Sequence, residues 1–101
     1  MIGKYESMII LNPSLPAEEI EKENKKILDL VVSFGGELVK TDTWGKKQLA
    51  YEIQKNTEGY YIINYFNLNT LKINEVERHY RLTEKIIRYN IIKLDSVEEE
   101  V

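Results

Sequence analysis

Gly35-Gly36-Glu37-Leu38-Val39-Lys40-Thr41-Asp42-Thr43-Trp44-Gly45-Lys46-Lys47-Gln48-Leu49-Ala50-Tyr51, followed shortly by Glu58-Gly59-Tyr60-Tyr61, is where the fold of this chain is decided. The glycine pair reads as a helix stop and the β-prone run after it as a strand. Gly45 reads as a bulge or bend in that strand, because glycine weakens a straight one. Lys46 and Lys47 stand directly beyond the break, and the strand resumes with Leu49, Tyr51 and Ile53 on one face. This is a shape for gripping another molecule rather than for bond chemistry.

Working outward, residues 5–11 are rich in strand formers and halt at the turn pair Asn12-Pro13. Pro16 suits the first position of a helix, and Glu18, Glu19 and Glu21 favour the positive end of its dipole. Ile20, Ile27, Leu30, Val31 and Phe34 recur at helical spacing up to the glycine pair. After the broken strand, Asn56-Thr57-Glu58-Gly59 is expected to turn the chain into a third strand over 60–67. Asn69 or Thr70 is the expected cap of a second helix, in which Ile73, Val76 and Tyr80 share one face. Residues 86–94, rich in isoleucine, form the last strand.

That order predicts an α+β, ferredoxin-like βαββαβ domain over residues 1–94. Two right-handed crossovers place both helices on one face of a four-stranded antiparallel sheet. The other face and the outer strand edges are expected to be open, and function should lie there.

A chain of 101 residues is one domain, able to bury roughly two-thirds of the surface its unfolded form exposes. With no cysteine there are no disulfides, thiolate metal sites or cysteine nucleophiles, and a reducing compartment is favoured. A single histidine, His79, rules out a histidine metal cluster. The only early apolar run, 8–11, is too short for a signal peptide or a membrane span, so a cytoplasmic protein is expected. The net charge is −3, yet Asp95, Glu98, Glu99 and Glu100 crowd the last seven residues. Without those four, 13 acidic side chains remain against 14 Lys plus Arg, so the body is close to neutral. Residues 95–101 are expected to be a solvated, disordered acidic tail. A nearly neutral body does not coat polyanions by bulk charge; any nucleic-acid binding has to rest on a local patch.

Catalysis finds little support. Ser7, Ser33 and Ser96 have no spacing that sets one beside His79, and His79 between Arg78 and Tyr80 reads as a helix-surface residue. The first strand-to-helix turn, Asn12-Pro13-Ser14-Leu15-Pro16, has prolines where a phosphate cradle needs amide donors. A metabolite-sensing domain would need a glycine-rich ligand loop, and none is present. No cofactor, metal or small-molecule substrate is expected.

The basic residues are sparse but suitably placed: Lys4 beside Tyr5, Lys46 and Lys47 after the break, Arg88 beside Tyr89, and Lys93 on the last strand. Each alone is an ordinary solvated charge; together they could position phosphates, with Arg88 forking onto one. Seven tyrosines and a tryptophan could stack bases or fill a core. Glu58-Gly59-Tyr60-Tyr61-Ile62-Ile63-Asn64-Tyr65 is partly similar to the third-strand motif of RNA-recognition-motif domains. However, Glu58 replaces a basic residue, Tyr61 a small one and Ile62 a stacking aromatic, and the first strand offers Met8, Ile9 and Ile10 where the partner motif has a ring. A stand-alone single-stranded RNA binder using Tyr61, Ile63 and Tyr65 is the alternative reading. Trp44, beside the break, is either an anchor on an exposed edge or an indole folded onto the sheet.

Taken in order, Lys4-Tyr5-Glu6, Leu11-Asn12-Pro13, Gly35-Gly36, Trp44-Gly45-Lys46-Lys47, Leu49-Ala50-Tyr51 with Ile53, Glu58-Gly59-Tyr60-Tyr61, Leu82 and Arg88-Tyr89 carry a resemblance over nearly the whole chain. It resembles the family of the sixth protein of the bacterial small ribosomal subunit. The resemblance implies a non-enzymatic, ferredoxin-like component of the cytoplasmic ribosome. It further implies binding to the central domain of small-subunit ribosomal RNA as a heterodimer with the eighteenth small-subunit protein. On this reading Lys4, Tyr5, Lys46, Lys47, Arg88 and Lys93 contact RNA, and Trp44, Gln48 and Tyr51 contact the partner protein. Two positions depart from the family pattern. Ile2-Gly3 stand where an arginine commonly precedes the Lys4-Tyr5 pair, leaving the N-terminal contact to Lys4, and Glu52 stands where a proline commonly follows Ala50-Tyr51.

Overall fold

Alternation along the first strand explains the layering. In β1 (Ile2–Leu11), Gly3, Tyr5, Ser7, Ile9 and Leu11 are buried on one side, while Lys4, Glu6, Met8 and Ile10 point to the other. The computed structural model describes residues 1–94, so the acidic tail over 95–101 lies outside the described residues. After β1 come α1 (Ala17–Ser33), β2 (Glu37–Ile53), β3 (Asn56–Asn69), α2 (Ile73–Leu82) and β4 (Ile86–Leu94). The strands form one sheet in the order β2-β3-β1-β4, every neighbouring pair antiparallel. The expected ferredoxin-like βαββαβ arrangement is the one observed.

β1 starts at Ile2, three residues earlier than expected, because it is one of the two inner strands. Ile2 pairs with Asn69 of β3 and Lys4 with Leu94 of β4, so both neighbours hold its beginning in the sheet. In α1, Pro16 caps the helix from an extended conformation rather than opening it, and its carbonyl accepts the Glu19 and Ile20 amides. Glu18 and Glu19 lie in the first turn, as the dipole favours. Ile20, Ile27 and Val31 bury one stripe against the sheet. Each apolar side chain buried this way contributes about 1.5–3 kcal/mol.

The glycine pair ends α1 for two different reasons. Gly35 has φ +82°, and the Gly36 and Gly35 amides donate to the Val31 and Val32 carbonyls at 2.8 and 2.9 Å. That pair of bonds is a Schellman closure, which wants glycine at the left-handed position. Gly36 is needed for space instead: a Cβ there would lie 2.6 Å from Val31 Cγ1 and 2.8 Å from the Asn67 carbonyl oxygen.

β2 is irregular where Gly45 suggested it. The register with β3 shifts between Thr43 and Gly45, and Gly45 has φ +79°. The hairpin turn, however, sits earlier than the residue types indicated. Gln54 and Lys55, with φ +49° and +67°, make the two-residue loop, and Asn56 already pairs with Ile53. Two consecutive left-handed residues match the twist of the flanking strands, and that demand outweighs the glycine preference for a turn at Gly59. β3 therefore spans Asn56–Asn69.

α2 also begins differently. Asn69 Oδ1 accepts the Leu71 amide at 2.9 Å, so Asn69 builds the turn before the helix, while Lys72 stands at the cap without a side-chain bond. Val76 and Tyr80 are buried between α2 and the sheet, with Ile73 packed beside them, as their spacing indicates. Polar links thread this core. Asn64 of β3 donates to Asn24 of α1 at 2.8 Å and accepts from Thr41 of β2 at 2.7 Å, which satisfies a fully buried amide side chain.

Candidate nucleic-acid and partner interface

Strand pairing sorts the predicted site residues onto two faces. Lys47 pairs with Gly59 and Lys46 with Tyr60, so the two adjacent lysines point to opposite sides of β2. Arg88 pairs with Ile10, which places it with Lys4, Lys47 and Tyr51 on the side away from the helices. Gln48 shares the helix-side parity of Lys46, and Lys93 pairs with Tyr5 on that same side. Tyr5 itself is in the core, 4% exposed, with its ring 5.9 Å from that of Phe66.

The helix-free face is not bare. β1 ends its pairing with β3 at Leu11 and Tyr60, so β2 from Lys47 and β3 before Tyr60 form an arm beyond the sheet centre. The arm folds back over the face. Gly59 lies so close to Ile10 that an added Cβ would stand 2.3 Å from Ile10 Cγ2 and 3.3 Å from Leu49 Cδ2. Tyr51 consequently reaches Arg88 on the far edge strand. Arg88 Nη1 donates to Tyr51 Oη, and the guanidinium carbon lies 5.3 Å from the ring centroid. The expectation of an open face is thus corrected at this end: hydrophobic contact among Ile10, Gly59 and Leu49 closes it.

Trp44 does both things the sequence left open. One side of its indole stacks on Tyr61, with centroids 6.2 Å apart and planes at 19°. The other side faces solvent, leaving the residue 50% exposed. Its Nε1 donates to Asp42 Oδ2 at 3.3 Å, fixing the ring against rotation. Trp44, Tyr61 and Lys47 line a shallow cavity of about 540 Å³. The reading of Tyr61, Ile63 and Tyr65 as a base-stacking platform meets occupied surfaces: Tyr61 lies under Trp44, Ile63 is 4% exposed, and Lys40 Nζ sits 5.0 Å above the Tyr65 ring.

Lys40 is a residue the sequence reading did not single out. Its side follows from a register shift between Leu38 and Lys40, a feature of pairing that residue types do not announce. With Lys4, Tyr65, Asn67 and Leu94 it lines a second cavity of about 310 Å³. Burial, then the carboxylates of Glu6 and Asp42, push the Tyr65 hydroxyl above its ordinary pKa. Four cations on this face, Lys4, Lys40, Lys47 and Arg88, are therefore interspersed with Glu6 and Asp42. Such a surface suits local phosphate contacts rather than bulk attraction.

Among the described residues no serine is set beside His79, and Ser96 lies outside them. Ser7 Oγ is 2.5 Å from Tyr80 Oη inside the core, and Ser33 Oγ donates to the Leu30 carbonyl at 2.7 Å. His79 is more enclosed than a helix-surface residue, with a buried Nε2 that has no hydrogen-bond partner. Its neighbour Tyr80 points into the core, which draws the flank of α2 partly under cover. Among the described residues no group of His, Cys, Asp or Glu could hold a metal ion, and no helix is long and apolar enough to cross a membrane.

A ferredoxin-like sheet that carries a mixed-charge face and a half-exposed indole has the features of a binding domain. Comparison with known proteins narrows this. The sequence pattern of the family described as Ribosomal protein S6 matches residues 4–93, and the chain belongs to that family. It is 44% identical over 92 residues to the small ribosomal subunit protein bS6 of Caldanaerobacter subterraneus subsp. tengcongensis, covering 91% of this chain and 97% of that one. Against the bS6 of Clostridium acetobutylicum the identity is 40% over 95 residues, covering 94% and 100%. The crystal structure of 30S ribosomal protein S6 from Thermotoga maritima superposes with a TM-score of 0.92 at 32% identity, covering 99% of this chain and 94% of that one. The chain is accordingly a structural, non-enzymatic protein of the bacterial small ribosomal subunit, as its resemblance implied, and its place is the cytoplasmic ribosome.

Proposed function

We propose that this chain binds the central domain of small-subunit ribosomal RNA as a heterodimer with the eighteenth small-subunit protein. The observation that carries the reading is the juxtaposition, on one face, of dispersed cations with a half-exposed, immobilised indole. Lys4, Lys47 and Arg88 supply phosphate contacts there, and Lys40 adds a fourth cation. Lys46 and Lys93 point to the other side of the two edge strands and extend the contact around the edges. Tyr5 acts from the core, holding the strand that presents Lys4.

Trp44 is the partner anchor, with Gln48 and Tyr51 further along the same edge strand. An aromatic fixed on one side and exposed on the other offers contact area at low cost in rotamer freedom, which is how interface hot spots are built. A nearly neutral body is consistent with an RNA site completed by a second, more basic protein.

The test is a titration of a central-domain ribosomal RNA fragment with this protein, with the eighteenth protein, and with both, at two salt concentrations. Binding by the mixture alone, weaker at higher salt, is the expected result. Tight binding of short single strands by this protein without the partner would replace the reading with the base-stacking one.

A further inference from the structure

We propose that Tyr51 is a positioning residue for Arg88, ordering its guanidinium for an RNA phosphate without neutralising it; this rests on the reading of Arg88 as a phosphate contact. Tyr51 and Arg88 stand on β2 and β4, the two edge strands of the sheet, and are 37 positions apart in the chain. Only the folded-back arm brings them together, and the arm is seated by Gly59 against Ile10, the register partner of Arg88. Arm closure and guanidinium placement are therefore one packing event.

The chemistry of the contact matters more than its existence. A guanidinium carries five N–H donors in a planar fork and loses much rotamer freedom when it grips an anion. Tyr51 takes one donor through its hydroxyl and restrains the plane through its ring. The remaining donors stay available for a forked phosphate bond. A carboxylate could order the side chain equally well, but it would compete with phosphate for the same charge. Among the described residues no carboxylate lies within ion-pair distance of Arg88. A neutral phenol thus pre-organises the cation and leaves its charge for an incoming anion. Tyr51 is 59% exposed, so its removal should not unseat the core.

The experiment measures binding of the full chain to a central-domain ribosomal RNA fragment, with the eighteenth protein saturating, over a range of salt. Wild type is compared with Tyr51→Phe, Tyr51→Ala, Arg88→Ala and the Tyr51→Ala/Arg88→Ala double variant. Arg88→Ala should weaken binding and reduce the salt slope by about one. Tyr51→Ala should weaken it by roughly two- to fivefold at every salt concentration, with the slope unchanged, because no phosphate contact is lost. Tyr51→Phe, which keeps the ring and loses the acceptor, should fall between. In the Arg88→Ala background, Tyr51→Ala should cost nothing further. An equal cost of Tyr51→Ala with and without Arg88, or a lowered slope for Tyr51→Ala alone, overturns the proposal. If Arg88→Ala changes neither affinity nor slope, the phosphate reading of Arg88 is what fails, and the positioning role falls with it.

Discussion

The hydroxyls of Ser7 and Tyr80 meet 2.5 Å apart in the core, tying the inner strand β1 to α2 across 73 positions of sequence. Both residues are almost completely buried, so each hydroxyl depends on the other for its hydrogen bond. Tyr80→Phe should cost about 1–3 kcal/mol, because it leaves the Ser7 hydroxyl unsatisfied, whereas the double change Ser7→Ala/Tyr80→Phe should cost less. Urea denaturation of the three variants checks this; an unaltered midpoint for Tyr80→Phe would count against the bond.

The same tyrosine sets an alkaline limit. Burial pushes the Tyr80 hydroxyl up to about 12, against an ordinary value of 10.0. Above pH 10 the unfolded chain ionises this group while the folded protein keeps it protonated, so the unfolded state binds fewer protons and stability falls as pH rises. The contribution is intact below pH 10 and lost progressively towards pH 12, amounting to roughly 3 kcal/mol. Wild type should therefore lose stability across that window faster than Tyr80→Phe, measured by denaturation at successive pH values.

Glu23 of α1 is 2% exposed, with Lys26 at 3.2 Å and Lys85, just before β4, at 3.3 Å. Lys85 also meets Glu19 at 3.1 Å. Removing Lys85 strips a buried carboxylate of one of its two cations, which is costly, whereas the Lys25–Asp29 pair is exposed on both sides. Lys85→Met should lower the melting temperature clearly more than Lys25→Met. The Lys85 hydrogen bond holds the Glu19 carboxyl below its ordinary 4.5, so that contribution is present above pH 4.5 and disappears as pH falls further. Equal melting temperatures for the two variants would refute the ranking.

The glycine pair supplies a graded test. Gly35→Ala meets open space and should pay only for its left-handed conformation, about 1 kcal/mol. Gly36→Ala drives a methyl against Val31 and the Asn67 carbonyl, and should cost about 1–3 kcal/mol. Gly59→Ala should carry a comparable cost and also lift the arm from Ile10, weakening RNA binding together with Tyr51→Ala. A thermal melt of the three variants decides the order.

Trp44→Ala should weaken the heterodimer by about 2 kcal/mol or more and leave the melting temperature nearly unchanged, since half of the indole is already in water. Calorimetric titration with the eighteenth protein is the readout. A variant that binds like wild type would move the partner contact elsewhere.

Much of the architecture was legible because it rests on short-range rules. Runs of strand-forming residues between turn signals announced the strands, helical spacing announced α1 and α2, and Gly35-Gly36 marked the end of α1 through local backbone geometry. The less legible features all depend on pairing. The hairpin turn was expected at Asn56-Thr57-Glu58-Gly59 and stands at Gln54-Lys55, where strand twist outweighed residue preference. Lys46 and Lys47 look like one basic pair and point apart, and Lys40 joins the face only through a register shift.

Element order, fold class, family and non-enzymatic character are written along the chain, because local propensity, periodicity and motif order all act over a few residues or through their succession. Which side chains share a surface is set by packing in three dimensions. Arg88 meets Tyr51, Trp44 covers Tyr61, and Tyr5 is withdrawn into the core because register, bulges and the folded-back arm set those distances. Those are long-range packing outcomes, and a one-residue change of register reverses the face of every side chain beyond it.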